Sequence, residues 1–557
     1  MFLRVVKSKS SSGKIHQAVQ LVESYRNEEG KPRTRILYHF GPLDKFLETD
    51  ADKFVDSIMK LKGEVFYESI KEFGESKDFG DIFVVLSILK ELKLFQELKK
   101  KQDKESKIQF DVVSHFKALL TNRISEPSSK LKLLSWLETV YIPGLKRKDI
   151  SYENLLRTMD FLIKHKKEIE NKLAKRVLTM FDLNLKMCFY DITSSYFETS
   201  SELDSSDIRR YGYSRDNRPD RVQVTIGVVM TEEGIPLCHY VFEGNRVDKT
   251  TLISVIEDIK LRFGELIEVS IVTDKGMISS SNLDKLIEGD QTFIIGEDKN
   301  KKISREILSE ANLNQRNKEE EFIFEKELDY ETSNGKLAKL RYVLSFNPET
   351  YRLNMKRYRE KLSLFENKFQ EINKKRISVT DKYHLLKSFL KSQGMSRWYK
   401  LSLSDGKIDV EPNMEVLNRL ESGFGWFMVV SNLSKLDYSK EEIIESYKKL
   451  WRVEHGFREL KHSLEVRPMY HFSENRIRGH IFLCFLSMLV TSIMEKRLKD
   501  AGVDLSWEKA LFELRKLKTV SYLTNSGIRG ISLTRVTDRQ KKIFKALGCP
   551  IPKLRHL

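Results

Sequence analysis

Cysteine is scarce in this chain. There are four in 557 residues, at Cys188, Cys238, Cys484 and Cys549, and none lies close to another. That spacing excludes a zinc knuckle or a disulfide framework and fits a reducing compartment. The opening MFLRVVKSKS lacks the apolar stretch that a secretory signal needs, so export is not expected. Long apolar runs are missing too. The most apolar stretch, Ile481 to Met494, is closed by Glu495, Lys496 and Arg497 and is interrupted by Ser487, Thr491 and Ser492. It falls short of the about 20 residues that cross a bilayer, and it predicts a buried core helix over about 474–498 instead. No internal repeat or low-complexity tract is present.

Positive charge is in excess. Lys and Arg number 98 against 81 Asp and Glu, a net charge of +17. A balance of this sign points to a polyanionic partner, although basicity alone also serves solubility. At about 150 residues per domain the length predicts three to four domains. A hydrophobic content of 40% is enough to build several cores.

The texture changes along the chain. Residues 2–40 alternate like strands in FLRVV, IHQAVQLVESY and TRILYHF, separated by the turn-prone SKSSSG and NEEGKP. They predict a small antiparallel sheet over 1–42. Residues 43–180 carry helical periodicity, including one amphipathic helix from Phe83 to Leu98 and another through Phe116, Leu119 and Leu120. Basic runs such as KKKQDK and KHKKE stud this region and make it a candidate DNA-binding region; any single run also reads as a solvated helix face. From 181 to 298 apolar strands alternate with a helix: MCFYDIT, VQVTIGVVM, IPLCHYVF, a helix over 248–263, VSIVTD and TFIIG. This is an α/β layer. Residues 299–440 break the pattern and read as an inserted domain. The α/β core resumes over 441–500, and 501–557 reads as a small helical tail.

Chemistry gathers at three acids. Asp191 and Asp274 each close an apolar strand-like run. In an open α/β sheet functional groups collect at the carboxyl ends of strands. The segment YKKLWRVEHGFRELK then sets Tyr447, Glu454 and Lys461 seven residues apart. On one helix that spacing drifts by only about 20° per step, so all three would share a face. A lone aspartate after a strand more often serves a turn, and Glu454 alone could pair with Arg458. Together, three hard carboxylates suit Mg²⁺ or Mn²⁺, and a pair of such ions would support in-line displacement at a phosphodiester.

These residues carry a family resemblance. YDITSSYFE (190–198), RPDRVQVTIGVVMTEEGIPL (218–237), FEGNRVDKTTL (242–252), VTDKGMISSSNL (272–283) and YKKLWRVEHGFRELK resemble, in order and spacing, an insertion-sequence transposase of the DDE class from bacteria or archaea. The similar branch carries a Tyr-x2-Arg-x3-Glu-x6-Lys motif. The resemblance implies a ribonuclease-H-like catalytic core interrupted by a long insertion, with Asp191, Asp274 and Glu454 as the catalytic, metal-binding triad for two ions. It implies DNA contacts from Tyr447 and Lys461. The motif's arginine position is Leu450 here, a departure for which Arg452 and Arg458 are the nearby substitutes. Lys275, beside Asp274, is a further phosphate candidate. Trp398, in the insertion, stands where the family uses an aromatic against an extruded base, and otherwise reads as core.

The implied activity is cleavage at the terminal inverted repeats of its own element and joining of the 3′-OH to target DNA. The expected assembly is a synaptic homodimer with no membrane partner, acting in the prokaryotic cytoplasm at the nucleoid. Two alternatives share these residues: a metal-dependent nuclease of the same fold without strand transfer, and a non-catalytic DNA-binding protein derived from a transposase.

Overall fold

A computed structural model describes residues 1–9, 15–61, 70–183, 185–198, 207–263, 269–404, 406–525 and 527–553. The turn expected around Ser8–Gly13 lies mostly outside the described residues. The chain divides into two compact units. One comprises residues 1–76 and 520–533, the other residues 77–519 and 534–553.

In the first unit, the alternation read from the sequence gives β1 (Phe2–Lys9), β2 (Ile15–Arg26) and β3 (Pro32–Pro42), paired antiparallel in that order. Val19 and Val22 are its buried apolar side chains. Helical turns follow over 43–61. The next element is not helical. β4 (Ile70–Asp78) pairs in a second three-stranded sheet with β15 (Lys518–Thr524) and β16 (Arg529–Leu533). The region 43–180 is therefore not all helical, and neither is the tail from 501. KTVSYLT is rich in β-branched and aromatic residues, and its distant partner strand makes it β.

The second unit is built on an eight-stranded sheet. Its strands are β5 (Met187–Tyr196), β6 (Gln223–Met230), β7 (Pro236–Glu243), β8 (Ser270–Thr273), β9 (Phe293–Gly296), β10 (Phe322–Glu331), β11 (Leu337–Phe346) and β14 (Trp426–Ser431). Their order is β10-β11-β14-β9-β8-β5-β6-β7. β5, β6 and β7 form an antiparallel meander, while β8 runs parallel to β5 and β9 parallel to β8. The crossover from β7 to β8 is the helix Leu252–Phe263, packed with Ser280–Glu288 and Lys302–Asn314 over an apolar layer that includes Tyr190, Ile271 and Ile295.

Residues 299–440 interrupt the core but are only in part a separate body. β10, β11 and β14 extend the core's own sheet. Only the helices Pro348–Lys374 and Val379–Ser392, with the hairpin β12 (Tyr399–Ser404) and β13 (Lys407–Pro412), gather a satellite core around Phe365 and Leu386. The polar run before Tyr330 is strand because its side chains alternate along an outer strand of the sheet.

Residues 80–180 are helical as read, but the helix expected from Phe83 to Leu98 is two, Gly80–Glu91 and Leu94–Gln102, broken where Lys93 takes φ of 52°. The apolar run becomes the helix Glu474–Asp500. It is long and apolar enough by composition to cross a membrane, yet 89% of its apolar window is buried within the protein. The helices Val112–Ser125 and Tyr152–Lys164 pack on it.

A buried ionic cluster ties these layers together. Glu170, fully buried, binds Lys166 Nζ at 2.9 Å, Arg262 Nη1 at 2.8 Å and His239 Nδ1 at 2.7 Å, and accepts the His239 backbone N–H at 3.2 Å. His239 stacks on Phe485 of the central helix at 4.7 Å. Although burial alone would raise the Glu170 carboxyl, the charges of Lys166 and Arg262 and the His239 hydrogen bond hold it far below the carboxylate range, while burial keeps His239 itself reluctant to protonate. Removing one side of a buried ion cluster leaves charge without a partner, which typically costs about 3–5 kcal/mol. Glu170→Gln is accordingly expected to destabilise the second unit by about that amount, read as a lower urea midpoint at unchanged slope.

Candidate active site

The register of β5 against β8 sets the site. Tyr190 pairs with Thr273 across two parallel strands, so Asp191 and Asp274 are the next residues along these neighbouring segments. Adjacent strands lie about 4.8 Å apart. β8 ends at Thr273, but β5 continues to Tyr196, so Asp191 is a mid-strand residue rather than the strand terminus expected from MCFYDIT. Side chains alternate along β5. Tyr190 turns into the apolar layer, its hydroxyl 2.9 Å from Thr251 Oγ1, which directs Asp191 to the opposite face. The helix Trp451–Lys461, which carries Glu454, packs on that face against β5 and β6. Gly456 permits the approach: a Cβ there would run into the Met230 side chain of β6.

Electrostatics tie the three acids together. Burial pushes the Asp191 carboxyl up to about 7, and the charges of Asp274 and Glu454 push the same way. Arg215 opposes them, as does a hydrogen bond from the Ile192 backbone. Arg215 is itself ion-paired with Asp248, and its backbone N–H donates to Ser194 Oγ at 3.1 Å. Asp248 lies within FEGNRVDKTTL, one of the segments that carry the resemblance, though no role was read for it; nothing in the sequence singled out Arg215.

Tyr447 meets the second aspartate, its hydroxyl donating to Asp274 Oδ1 at 3.1 Å. Burial, then this carboxylate, raise the phenol far above its ordinary value. Gly296, at the end of β9, makes room, because a Cβ there would strike Tyr447 Oη and stand 2.9 Å from the Lys275 backbone nitrogen. Tyr447 does not share a helix with Glu454, as the sevenfold spacing implied. It ends the helix Lys440–Lys448, and a joint at Lys449–Leu450 separates the two helices. Four tight i to i+3 backbone hydrogen bonds form there: Lys449 to Ser446, Leu450 to Tyr447, Arg452 to Lys449 and Val453 to Leu450. Leu450, 5% exposed, buries its side chain at the joint, so position 450 serves packing.

The remaining candidates are distributed unevenly. Lys461 donates to Asp216 at 2.9 Å, and Arg467 holds the same carboxylate at 2.7 Å. Burial lowers the Lys461 pKa against the pull of Asp216. Arg452 donates to the Glu232 carbonyl on the β6–β7 turn, an anchoring contact away from the acids. Arg458 and Lys275 are exposed and form no ion pair among the described residues. Trp398 packs in the satellite core, 5.4 Å from the Tyr358 ring, with its backbone bonded to Met395 and Asn413.

Among the described residues no three His, Cys, Asp or Glu side chains are drawn together closely enough to hold a metal ion. The donor chemistry still suits a hard divalent cation. All three acids are oxygen ligands, and burial, with the neighbouring acids, has left Asp191 reluctant to ionise, a condition that a bound cation reverses.

Residues 196–490 match the transposase DDE domain family, and residues 3–69 match the IS1634 family transposase, N-terminal domain. The first match spans Asp274 and Glu454 and begins just after Asp191. Comparison with curated proteins finds no significant match.

A carboxyl whose pKa is higher folded than unfolded adds most stability when protonated, and that contribution is lost as pH rises through the folded value. For Asp191 the window runs from the ordinary aspartate range, about 4, up to about 7. Asp191→Asn is therefore expected to raise the melting temperature in EDTA by roughly 2–4 °C at alkaline pH. The gain should fade as pH falls below that window. Calorimetry across the range checks it; a gain independent of pH would exclude ionisation as its cause.

Proposed function

Because the chain belongs to the DDE transposases and is a DNA transposase, we propose that Asp191, Asp274 and Glu454 are its catalytic acids. In this reading they hold Mg²⁺ or Mn²⁺, as two ions, and the enzyme cuts at its element's terminal inverted repeats and joins the 3′-OH to target DNA. The observation that carries this is the Tyr190–Thr273 register, which sets two aspartates side by side under the Glu454 helix. A bound metal pair supplies activation of the attacking oxygen and charge relief at the leaving one.

The protein's own groups have distinct tasks. Asp191 must give up its proton, and Arg215 is the cation that favours this. Tyr447 fixes one oxygen of Asp274, while the other accepts no hydrogen bond from the described residues. Glu454 is exposed on its helix, so its carboxylate is free to bind an incoming ion. Lys461 exchanges Asp216 for a DNA phosphate. With Leu450 buried, Arg215 and the exposed Arg458 are better placed than Arg452 to replace the family's arginine contact. Lys275 is a further phosphate contact, and Trp398 is a core residue.

End recognition is assigned to residues 1–180. Within 1–42 there are eight Lys and Arg against three Glu. Two ends held together call for a homodimer, and DNA as substrate places the work at the nucleoid. The nuclease-only alternative differs in one step, joining. Incubating pre-cleaved ends with target DNA in Mn²⁺ is expected to give joined product with the wild-type enzyme and at least about 10³-fold less with Asp191→Asn or Glu454→Gln. Cleavage of intact ends with no joining of pre-cut ones would leave only the nuclease. Gly296→Ala, by displacing Tyr447 from Asp274, should lower cleavage about tenfold while the protein stays folded by circular dichroism.

A further inference from the structure

Between β5 and β6 the chain makes a polar excursion whose described part, residues 207–222, is tied to the catalytic face. Arg215 reaches Asp248, and Asp216 reaches Lys461. Around these ties, guanidinium groups and aromatic rings alternate. Tyr196, at the end of β5, has the guanidinium of Arg218 at 5.1 Å from its ring and that of Arg467 at 5.0 Å. Arg209 lies 5.4 Å from the ring of Phe472. Two of the rings project into water: Phe472 is 66% exposed and Tyr213 84%.

Tyr213 is held in place despite that exposure. Gln223 Nε2 donates to its carbonyl at 3.0 Å and to that of Gly244 at 2.8 Å. The preceding Gly212 packs so closely on the Gly244 carbonyl that no Cβ would fit. Tyr211 and Tyr470 are exposed too, at 52% and 64%, so each of the two segments presents a pair of rings, and grouped exposed rings mark an interaction surface. Guanidinium groups match phosphates, and exposed rings match the faces of bases. A duplex hides its base faces in the stack, so only an unpaired strand uses both kinds of group.

We propose that residues 207–222 and the segment 467–472 hold a single-stranded stretch of DNA beside the catalytic acids, with phosphates on Arg218 and Arg467 and bases stacked on Tyr213 and Phe472. This rests on the reading of the chain as a transposase, and it adds a strand-binding track that the three acids do not require.

The test uses the full-length protein in EDTA and two labelled DNAs, a blunt duplex and the same duplex extended by a single-stranded tail containing 2-aminopurine. Anisotropy is expected to give about tenfold tighter binding of the tailed DNA, with 2-aminopurine quenching. The double variant Tyr213→Ala/Phe472→Ala should lose both the preference and the quenching while keeping wild-type affinity for the blunt duplex. Tyr213→Trp should retain both. Equal wild-type affinities for the two DNAs would overturn the proposal, as would equal loss of both affinities in the double variant. A changed sedimentation coefficient in that variant would also overturn it, assigning the rings to a contact between copies of the chain. Failure to bind either DNA would reject the proposed catalytic face as well.

Discussion

Everything chemical in this protein depends on the parallel pairing of β5 with β8. Parallel strands need a crossover, and here the helix Leu252–Phe263 supplies it, returning the chain so that Thr273 stands opposite Tyr190. A slip of one residue would turn Asp191 into the apolar layer and Tyr190 out of it. The register is defended from the apolar side, where Tyr190 fills space against Gly227 and its hydroxyl meets Thr251. The same tyrosine that orders the core thus fixes where the first carboxylate emerges.

That arrangement concentrates negative charge, and the surrounding cations are placed in answer to it. Three of them have acidic partners: Arg215 has Asp248, while Lys461 and Arg467 share Asp216. These pairs satisfy groups that would otherwise be buried and uncompensated. In the proposed reading they are the contacts that a phosphate would replace.

Much of this was legible in the sequence. The apolar runs ending at Asp274 and at Gly296 are strands because a strand buried on both faces reads as continuous Val and Ile. The helix Glu474–Asp500 is a core helix, as its interrupting serines and closing charges implied. What was hidden is tertiary. Asp191 looked terminal because Thr193–Tyr196 is polar, yet those residues continue in register with β6. The joint at Leu450 is invisible to spacing, since seven residues look alike on one helix or two. Arg215 gains its role only from where the β5–β6 excursion lands. The strand character of 518–533 was masked by helical flanks and depends on a partner, β4, near the other end of the chain.

That last pairing bears on synthesis. During translation the first unit cannot finish its second sheet when residues 1–76 emerge, because β15 and β16 have not yet been made. β4 waits as an open edge, with Phe73 exposed on it, until the catalytic unit has been produced. A nascent chain therefore completes its amino-terminal unit only once the sequence carrying all three acids lies outside the ribosome. Premature termination yields products in which that unit is unfinished.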